Sequence, residues 1–162
     1  MTEDFVHVAM RMFLKNNGWL LIAGEYPNGS DDELSVLSIS DPSVACDNSP
    51  DPRRHSTGEN VPDLVAFKSN NILVIEAKPK YSIGDKEKLR DLFCNKKDRL
   101  IESLIKFSTE KIQFSTINYR AAVYWPVLAF EHASLVDLQE EPGFLHLYVK
   151  NLNTCRLTGG IL

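Results

Sequence analysis

The sequence lacks the features that mark membrane, secreted and disulfide-rich proteins. No apolar run approaches the roughly 20 residues that a membrane-spanning helix needs. The N-terminal stretch MTEDFVHVAMRMF carries acids where a secretory signal carries bases. The three cysteines, Cys46, Cys94 and Cys155, lie far apart without a CxxC or zinc-ligand spacing, which indicates free thiols in a reducing compartment. We therefore expect a cytoplasmic protein that does not contact a membrane.

Several catalytic and cofactor motifs are also absent from the sequence. It contains no GxxxxGK phosphate loop, no GxGxxG dinucleotide fingerprint after a strand and no GxSxG nucleophile elbow. The four histidines, His7, His55, His132 and His146, have no HExxH or other paired spacing. This pattern is more typical of surface or internally satisfied histidines than of metal ligands.

The charged residues are segregated along a chain of 162 residues, a length typical of one domain. The net charge of -4 and the pI near 5.6 are not those of a nucleic-acid-binding protein taken as a whole. Residues 78–99 nevertheless carry eight bases against four acids, whereas residues 25–63 carry nine acids and only Arg53 and Arg54 as bases. This distribution indicates an acidic cluster beside a basic surface.

Hydrophobic periodicity predicts an α/β domain with a central mixed β-sheet flanked by helices. The N-terminal half reads as a helix over 3–16 with Thr2 as its N-cap and Gly18 as its stop, followed by a buried strand within 19–27. A second strand is predicted at 33–40, and the Pro-, Asp- and Ser-rich residues around 41–61 are predicted to be a loop insertion.

The C-terminal half begins with two strands, VPDLVAFK and ILVIEAKPK, joined by a two-residue turn. A helix is predicted from Ser82 to about Phe107, because its apolar residues form one face. Strands are predicted at 120–130 and 144–152, with Pro126 requiring a bulge, an edge position or the strand end.

The hairpin places three charged residues where a packed sheet would prefer apolar ones. A Ser69-Asn70 turn makes Asp63 face Glu76, and an Asn70-Asn71 turn makes Asp63 face Lys78. Because side chains alternate with a period of two, both registers keep Asp63, Glu76 and Lys78 on one face. A three-residue loop would separate them.

Two carboxylates this close need something that offsets their repulsion. A shared proton, a salt bridge to Lys78 and a divalent cation are the three alternatives. A cation held by Asp63 and Glu76 would polarise a phosphodiester and lower the pKa of a bound water. Lys78 could then orient or deprotonate that water, or stabilise the charge that develops on the phosphate.

The pattern Pro62-Asp63, twelve residues, then Glu76-Ala77-Lys78 at the end of an apolar strand resembles the PD-(D/E)xK nuclease superfamily. The resemblance implies a restriction-endonuclease-like core over roughly residues 1–130. It further implies Asp63 and Glu76 as catalytic metal ligands, the Ala77 carbonyl as a further ligand, and Lys78 as the catalytic lysine. The implied cofactor is Mg²⁺, with Mn²⁺ as a substitute.

Further residues are predicted to complete such a site. Many members of the superfamily have another acid, for which Glu25 is preferred here over Glu3 and Glu59. The candidates for nucleic-acid contacts are basic residues of the long loop and of the segment after the hairpin: Arg53, Arg54, Lys80, Lys86, Lys88 and Arg90.

The sequence therefore leads us to expect a metal-dependent DNA endonuclease of the restriction, junction or repair type. Such enzymes usually act as homodimers, because cutting two antiparallel strands requires two related sites. The alternatives left open are a non-catalytic nucleic-acid-binding or scaffold module on the same fold, and a relative that cleaves RNA or acts on free ends.

Overall fold

The computed structural model of the chain describes residues 1–24, 62–109, 112–132 and 143–159. These residues form an α/β fold around one six-stranded mixed sheet, in which the strands lie side by side in chain order. The elements are α1 (Glu3–Asn16), β1 (Leu20–Gly24), β2 (Leu64–Lys68), β3 (Asn71–Ala77), α2 (Ile83–Asn95), α3 (Lys97–Thr109), a short 3₁₀ helix (Ile112–Phe114), β4 (Val123–Glu131), β5 (Leu145–Asn151) and β6 (Thr154–Leu157).

Helix α1 begins and ends as its sequence predicts. The Thr2 side chain accepts a hydrogen bond from the Phe5 backbone N–H at 3.2 Å, which caps the N-terminus. Gly18 follows the helix with φ of +83°, a left-handed conformation that glycine adopts without strain. The Lys68 ammonium donates to the Asn17 carbonyl at 2.6 Å, which ties this end of the helix to the end of β2.

The hairpin between β2 and β3 takes one of the two predicted registers. Ser69 and Asn70 have φ of 49° and 66°, as a two-residue turn with two left-handed positions requires. Lys68 pairs with Asn71, and the antiparallel register continues to Leu64 opposite Ile75. One step further along this register, Asp63 lies opposite Glu76.

Strand β3 is central and is buried on both faces. It pairs antiparallel with β2 and parallel with β4, and β4 in turn pairs parallel with β5. Its odd-numbered residues Leu73, Ile75 and Ala77 pack with α1, whereas Ile72 and Val74 pack with α2 and α3. This double burial explains the nearly continuous apolar run ILVI.

The single helix predicted from Ser82 to about Phe107 is instead two helices. The Ser82 hydroxyl caps α2 by accepting from the Asp85 N–H at 3.1 Å, and the helix ends at Asn95. Lys96 breaks the helical path with φ of -130° before α3 begins. No glycine or proline marks this break in the sequence, so a single apolar face was predicted through it.

The C-terminal half agrees with its prediction at Pro126, which takes an edge position, and differs from it after β5. Pro126 lies inside β4, yet pairing with β5 begins only at Val127, so the proline occupies the part of β4 that pairs with β3 alone. The chain continues after β5 into β6, which pairs antiparallel with β5 and was not predicted. The turn at Leu152-Asn153 separates these two strands, so the predicted strand over 144–152 ends one residue earlier.

Some predictions concern residues that the structure does not describe. The strand expected at 33–40 and the loop insertion expected around 41–61 lie outside the described residues. Among the described residues, none of the helices combines the length and the apolar character needed to cross a bilayer.

Candidate active site

Asp63, Glu76 and Lys78 meet where β2 begins and β3 ends. Asp63 directly precedes β2, Glu76 is the penultimate residue of β3, and Lys78 follows its last residue. The hairpin register brings Asp63 opposite Glu76, and the negative charge of Asp63 acts on Glu76. The acids that the sequence pairs therefore lie opposite each other in the structure.

The Asp63 side chain replaces a missing rung of the hairpin. Asp63 Oδ2 accepts a hydrogen bond from the Ala77 N–H at 2.8 Å. In this register residue 62 lies opposite Ala77, and Pro62 has no N–H to donate to the Ala77 carbonyl. Because N–H and C=O of one strand residue point to the same side, the Ala77 carbonyl is directed toward the start of β2, beside Asp63.

Glu76 is buried and Asp63 is partly buried, and this changes the titration of both carboxyl groups. Glu76 is 2% exposed. Burial, followed by the negative charge of Asp63, raises the pKa of Glu76 well above its usual value. Burial also raises the pKa of Asp63, although the hydrogen bond from Ala77 opposes this change. The metal-free pair therefore holds a proton at a pH where isolated carboxyl groups are ionised.

Two lysines approach the pair from the two faces of the sheet. Lys88 reaches from α2, and its Nζ lies 2.8 Å from Glu76 Oε1. Lys78 Nζ lies 3.2 Å from Glu3 Oε1 on α1, so the Lys78 ammonium extends around the end of the sheet to the α1 side. The prediction that Asp63, Glu76 and Lys78 share one face is thus correct for the strand register, but the Lys78 ammonium lies on the other side of the sheet, beside α1. The cause is that Lys78 lies past the end of β3 and is no longer held by the alternation of the strand.

Both ammonium groups are charged at neutral pH. Burial alone would lower the pKa of Lys88, but the adjacent Glu76 outweighs it and raises this pKa. Burial would also lower the pKa of Lys78, but the hydrogen bond with Glu3 and the charge of Glu3 outweigh this effect and raise the pKa. A lysine with a raised pKa holds its proton, so it stabilises negative charge better than it accepts a proton.

His7 is a residue of this site that the sequence analysis did not select. Its side chain is 1% exposed, and its Nε2 lies 3.9 Å from both Glu3 Oε1 and Asp63 Oδ2. Burial, then the charges of Arg11 and Lys78, lower the pKa of His7 to about 4, so the imidazole is neutral at pH 7. The signal was present in the sequence, because Glu3 and His7 are four residues apart on the face of one helix.

The site can be read as two overlapping groups of metal donors. The first is the predicted group of Asp63, Glu76 and the Ala77 carbonyl, all of them oxygen donors that suit Mg²⁺. The second is Glu3, His7 and Asp63, whose nearest donor atoms all lie within 4.8 Å of one another. Asp63 belongs to both groups. Burial raises the pKa of both carboxyl groups, and the charge of Asp63 raises that of Glu76 further; a bound cation would oppose these effects, so the donor set fits a divalent cation.

The other predicted residues are distributed more widely. Glu25, which was the preferred additional acid, lies outside the described residues together with Glu59, Arg53 and Arg54. In their place the structure brings Glu3, the alternative acid, against Lys78.

The basic residues after the hairpin point in different directions. Lys80 is exposed two residues beyond Lys78. Lys86 Nζ lies 5.5 Å from the centre of the Phe144 ring, and Arg90 Nη1 lies 2.7 Å from Glu87 Oε1 on the outside of α2. Of the four candidates here, Lys88 is the one whose ion pair reaches the carboxyl pair.

The side chains therefore carry the functional argument. They form a pair of opposed carboxyl groups, one buried and one partly buried, flanked by two charged lysines and a neutral histidine, at one end of a mixed sheet. Comparisons of the chain with protein-family models, with curated proteins and with solved structures found no match.

Proposed function

We propose that this protein is a divalent-cation-dependent nuclease of the PD-(D/E)xK type that hydrolyses phosphodiester bonds in DNA. The observation that carries the proposal is the opposed position of Asp63, which is partly buried, and Glu76, which is buried, at the end of a hairpin with lysines on both sides. Buried like charges are costly, and strongly shifted carboxyl groups cluster at functional sites.

The donor chemistry supports Mg²⁺, with Mn²⁺ as a substitute. Asp63, Glu76 and the Ala77 carbonyl would hold the cation, and His7 and Glu3 offer further donors beside Asp63. When bound, a divalent cation supplies Lewis-acid polarisation of the phosphate and a bound water of lowered pKa.

The two lysines suit a polyanionic substrate. Lys78 keeps its proton, so its role in the proposal is to stabilise negative charge on the phosphate, and the role of a general base does not fit it. Exposed Lys80 and Arg90 extend the basic segment outward, where they could contact neighbouring phosphates of the backbone. Because the net charge of the chain is -4, we expect contacts with DNA to concentrate on its basic segments, of which this is one.

The direct test compares wild type with Glu76→Gln and Lys78→Met on linear and covalently closed DNA, and on RNA, with Mg²⁺ or Mn²⁺. We expect wild type to cleave DNA only when the cation is present. Each variant should lose cleavage by at least about 100-fold, the scale seen when one group that stabilises the transition state is removed. Cleavage of closed circles distinguishes internal cutting from action on free ends.

The control is Lys106→Met, which removes one charge from the exposed surface of α3. This variant should cleave like wild type, and all variants should keep the wild-type far-UV circular dichroism. DNA binding without cleavage in any metal would instead indicate the non-catalytic binding module. Sedimentation with and without DNA tests the proposed homodimer.

A further inference from the structure

Lys88 lies at the boundary between the buried carboxyl pair and solvent. Its Nζ lies 2.8 Å from Glu76 Oε1, while its side chain is 31% exposed and that of Glu76 only 2%. Its charge also acts on Asp63. The Lys88 side chain therefore contacts Glu76 and is also accessible to solvent.

A divalent cation at the carboxyl pair would compete with this ammonium. Mg²⁺ binds carboxylate oxygens at about 2.0–2.1 Å, so a cation on Glu76 would stand against the Lys88 ammonium. Two cations on one carboxylate repel each other strongly in a partly buried site. A lysine has a flexible four-carbon stem, so Lys88 can leave Glu76 without movement of α2.

The same position would bring Lys88 to a bound phosphate. Lys78 approaches from the α1 side, where it contacts Glu3, and Lys88 approaches from the α2 side. A phosphate on a cation between Asp63 and Glu76 would therefore have one ammonium on each side.

We propose that Lys88 is an exchangeable counter-ion of the site: it neutralises Glu76 until a divalent cation binds, and then moves to contact the substrate phosphate. This inference rests on the proposed nuclease function and deepens it. The inference gives Lys88 a role that the other basic residues of the segment do not have, because the same side chain first balances the charge of Glu76 and later contacts the phosphate.

The proposal predicts changes of opposite sign in one variant. Lys88 Nζ lies 2.8 Å from Glu76 Oε1, so a divalent cation on Glu76 would stand close to this ammonium and the two positive charges would repel each other. Removal of the Lys88 charge should therefore tighten cation binding, about tenfold for a close partly exposed charge. Cleavage at saturating cation should fall by about tenfold or more, because the second phosphate contact is lost.

The experiment measures both quantities in Lys88→Met. Calorimetric titration of the DNA-free protein with Mn²⁺ at pH 8 gives the affinity, and single-turnover cleavage of double-stranded DNA at saturating Mn²⁺ gives the rate. Lys88→Arg keeps the charge and should stay within about threefold of wild type in affinity. Lys106→Met is the control, since it removes one charge from an exposed residue of α3 that the proposal does not use.

Tighter Mn²⁺ binding together with slower cleavage in Lys88→Met supports the inference, and every other combination overturns it. Weaker Mn²⁺ binding would show that Lys88 only supports Glu76. If Lys88→Met does not fold by circular dichroism, Lys88→Gln is read in the same way. A wild-type protein that neither binds Mn²⁺ nor cleaves DNA overturns the proposed function as well, whereas the inference fails alone when wild type does both.

Discussion

Two roles of Asp63 can be separated by replacing it with either asparagine or alanine. Asp63 Oδ2 accepts the Ala77 N–H at 2.8 Å, and Asp63 also lies opposite Glu76, whose pKa its charge raises. Asparagine keeps an oxygen for Ala77 and removes the charge that raises the pKa of Glu76. Its amide group can in addition donate to Glu76. Alanine removes the acceptor along with the charge.

The expected stabilities follow from these contacts. Asp63→Ala leaves the Ala77 N–H without its acceptor in a mostly buried place, which costs about 1–3 kcal/mol of unfolding free energy. Asp63→Asn avoids this loss and relieves the like-charge repulsion, so the metal-free variant should be at least as stable as wild type at pH 7. Saturating Mg²⁺ should stabilise wild type by about 2.7 kcal/mol at 100 times its Kd, and neither variant to that extent.

Urea denaturation at pH 7, with and without Mg²⁺, measures all four expectations. The midpoint and slope give the unfolding free energy for each protein. The reasoning is refuted if Asp63→Asn is destabilised as much as Asp63→Ala, since the shared backbone contact would then be irrelevant. Equal stabilisation of Asp63→Asn and wild type by Mg²⁺ would refute the role of this carboxylate as a cation ligand.

Three further predictions concern other parts of the site and the hairpin. The pKa of His7 is about 4 in the folded state and 6.5 for a free histidine, so the folded state binds fewer protons between these pH values. The unfolding free energy of wild type should therefore fall by about 3 kcal/mol as the pH falls through this window. Urea denaturation at pH 7 and pH 4 should show that His7→Gln lacks this loss. Glu3→Gln should change stability by less than about 1 kcal/mol, because its ion pair with Lys78 is partly exposed, yet slow cleavage in a single-turnover assay. Ser69→Asn should raise the urea midpoint by the equivalent of about 0.5 kcal/mol without changing cleavage, because asparagine tolerates φ of 49° better than serine.

The carboxyl pair itself should give the opposite pH dependence to His7. Because the folded pKa values of Asp63 and Glu76 lie above the usual values of 3.8 and 4.5, the folded state binds more protons than the unfolded state above those values. Their contribution to stability is therefore present in acid and is lost as pH rises through the raised pKa values. A bound cation would reverse this trend, since it takes the place of the proton.

The sequence predicts the hairpin because the residues of the two strands and the turn are enough to indicate it. The register, in contrast, depends on contacts with residues far away in the chain. Both Ser69-Asn70 and Asn70-Asn71 are acceptable turns. The Trp125 indole donates to the Asn71 side chain at 3.0 Å, and the Val123 N–H donates to the Asn70 carbonyl at 2.9 Å. These contacts come from β4, more than fifty residues away, so no inspection of the turn itself could select between the two registers.

The difference between neighbouring and distant residues also explains which residues of the site the sequence could predict. Asp63, Glu76 and Lys78 lie on one hairpin, and their spacing in the sequence was enough to group them. Lys88 reaches Glu76 only because α2 packs across the face of β3. The periodicity of the helix sequence does not show this packing, so it groups Lys88 with the surface bases. His7 was overlooked for another reason: its spacing from Glu3 was visible, but the apolar pattern of α1 gave no sign that this face ends at Asp63.

The pair Pro62-Asp63 has a physical role that the acid alone does not have. In this register a residue with an N–H at position 62 would close the ladder on the Ala77 carbonyl, and its own carbonyl would take the Ala77 N–H. Proline removes the first contact, and the Asp63 carboxylate takes over the second at 2.8 Å. The hairpin therefore opens at its last rung without leaving the Ala77 N–H unsatisfied. The register thus leaves the Ala77 carbonyl beside Asp63 and Asp63 opposite Glu76 at the end of the sheet, three oxygen donors of the kind that the proposed cation site needs.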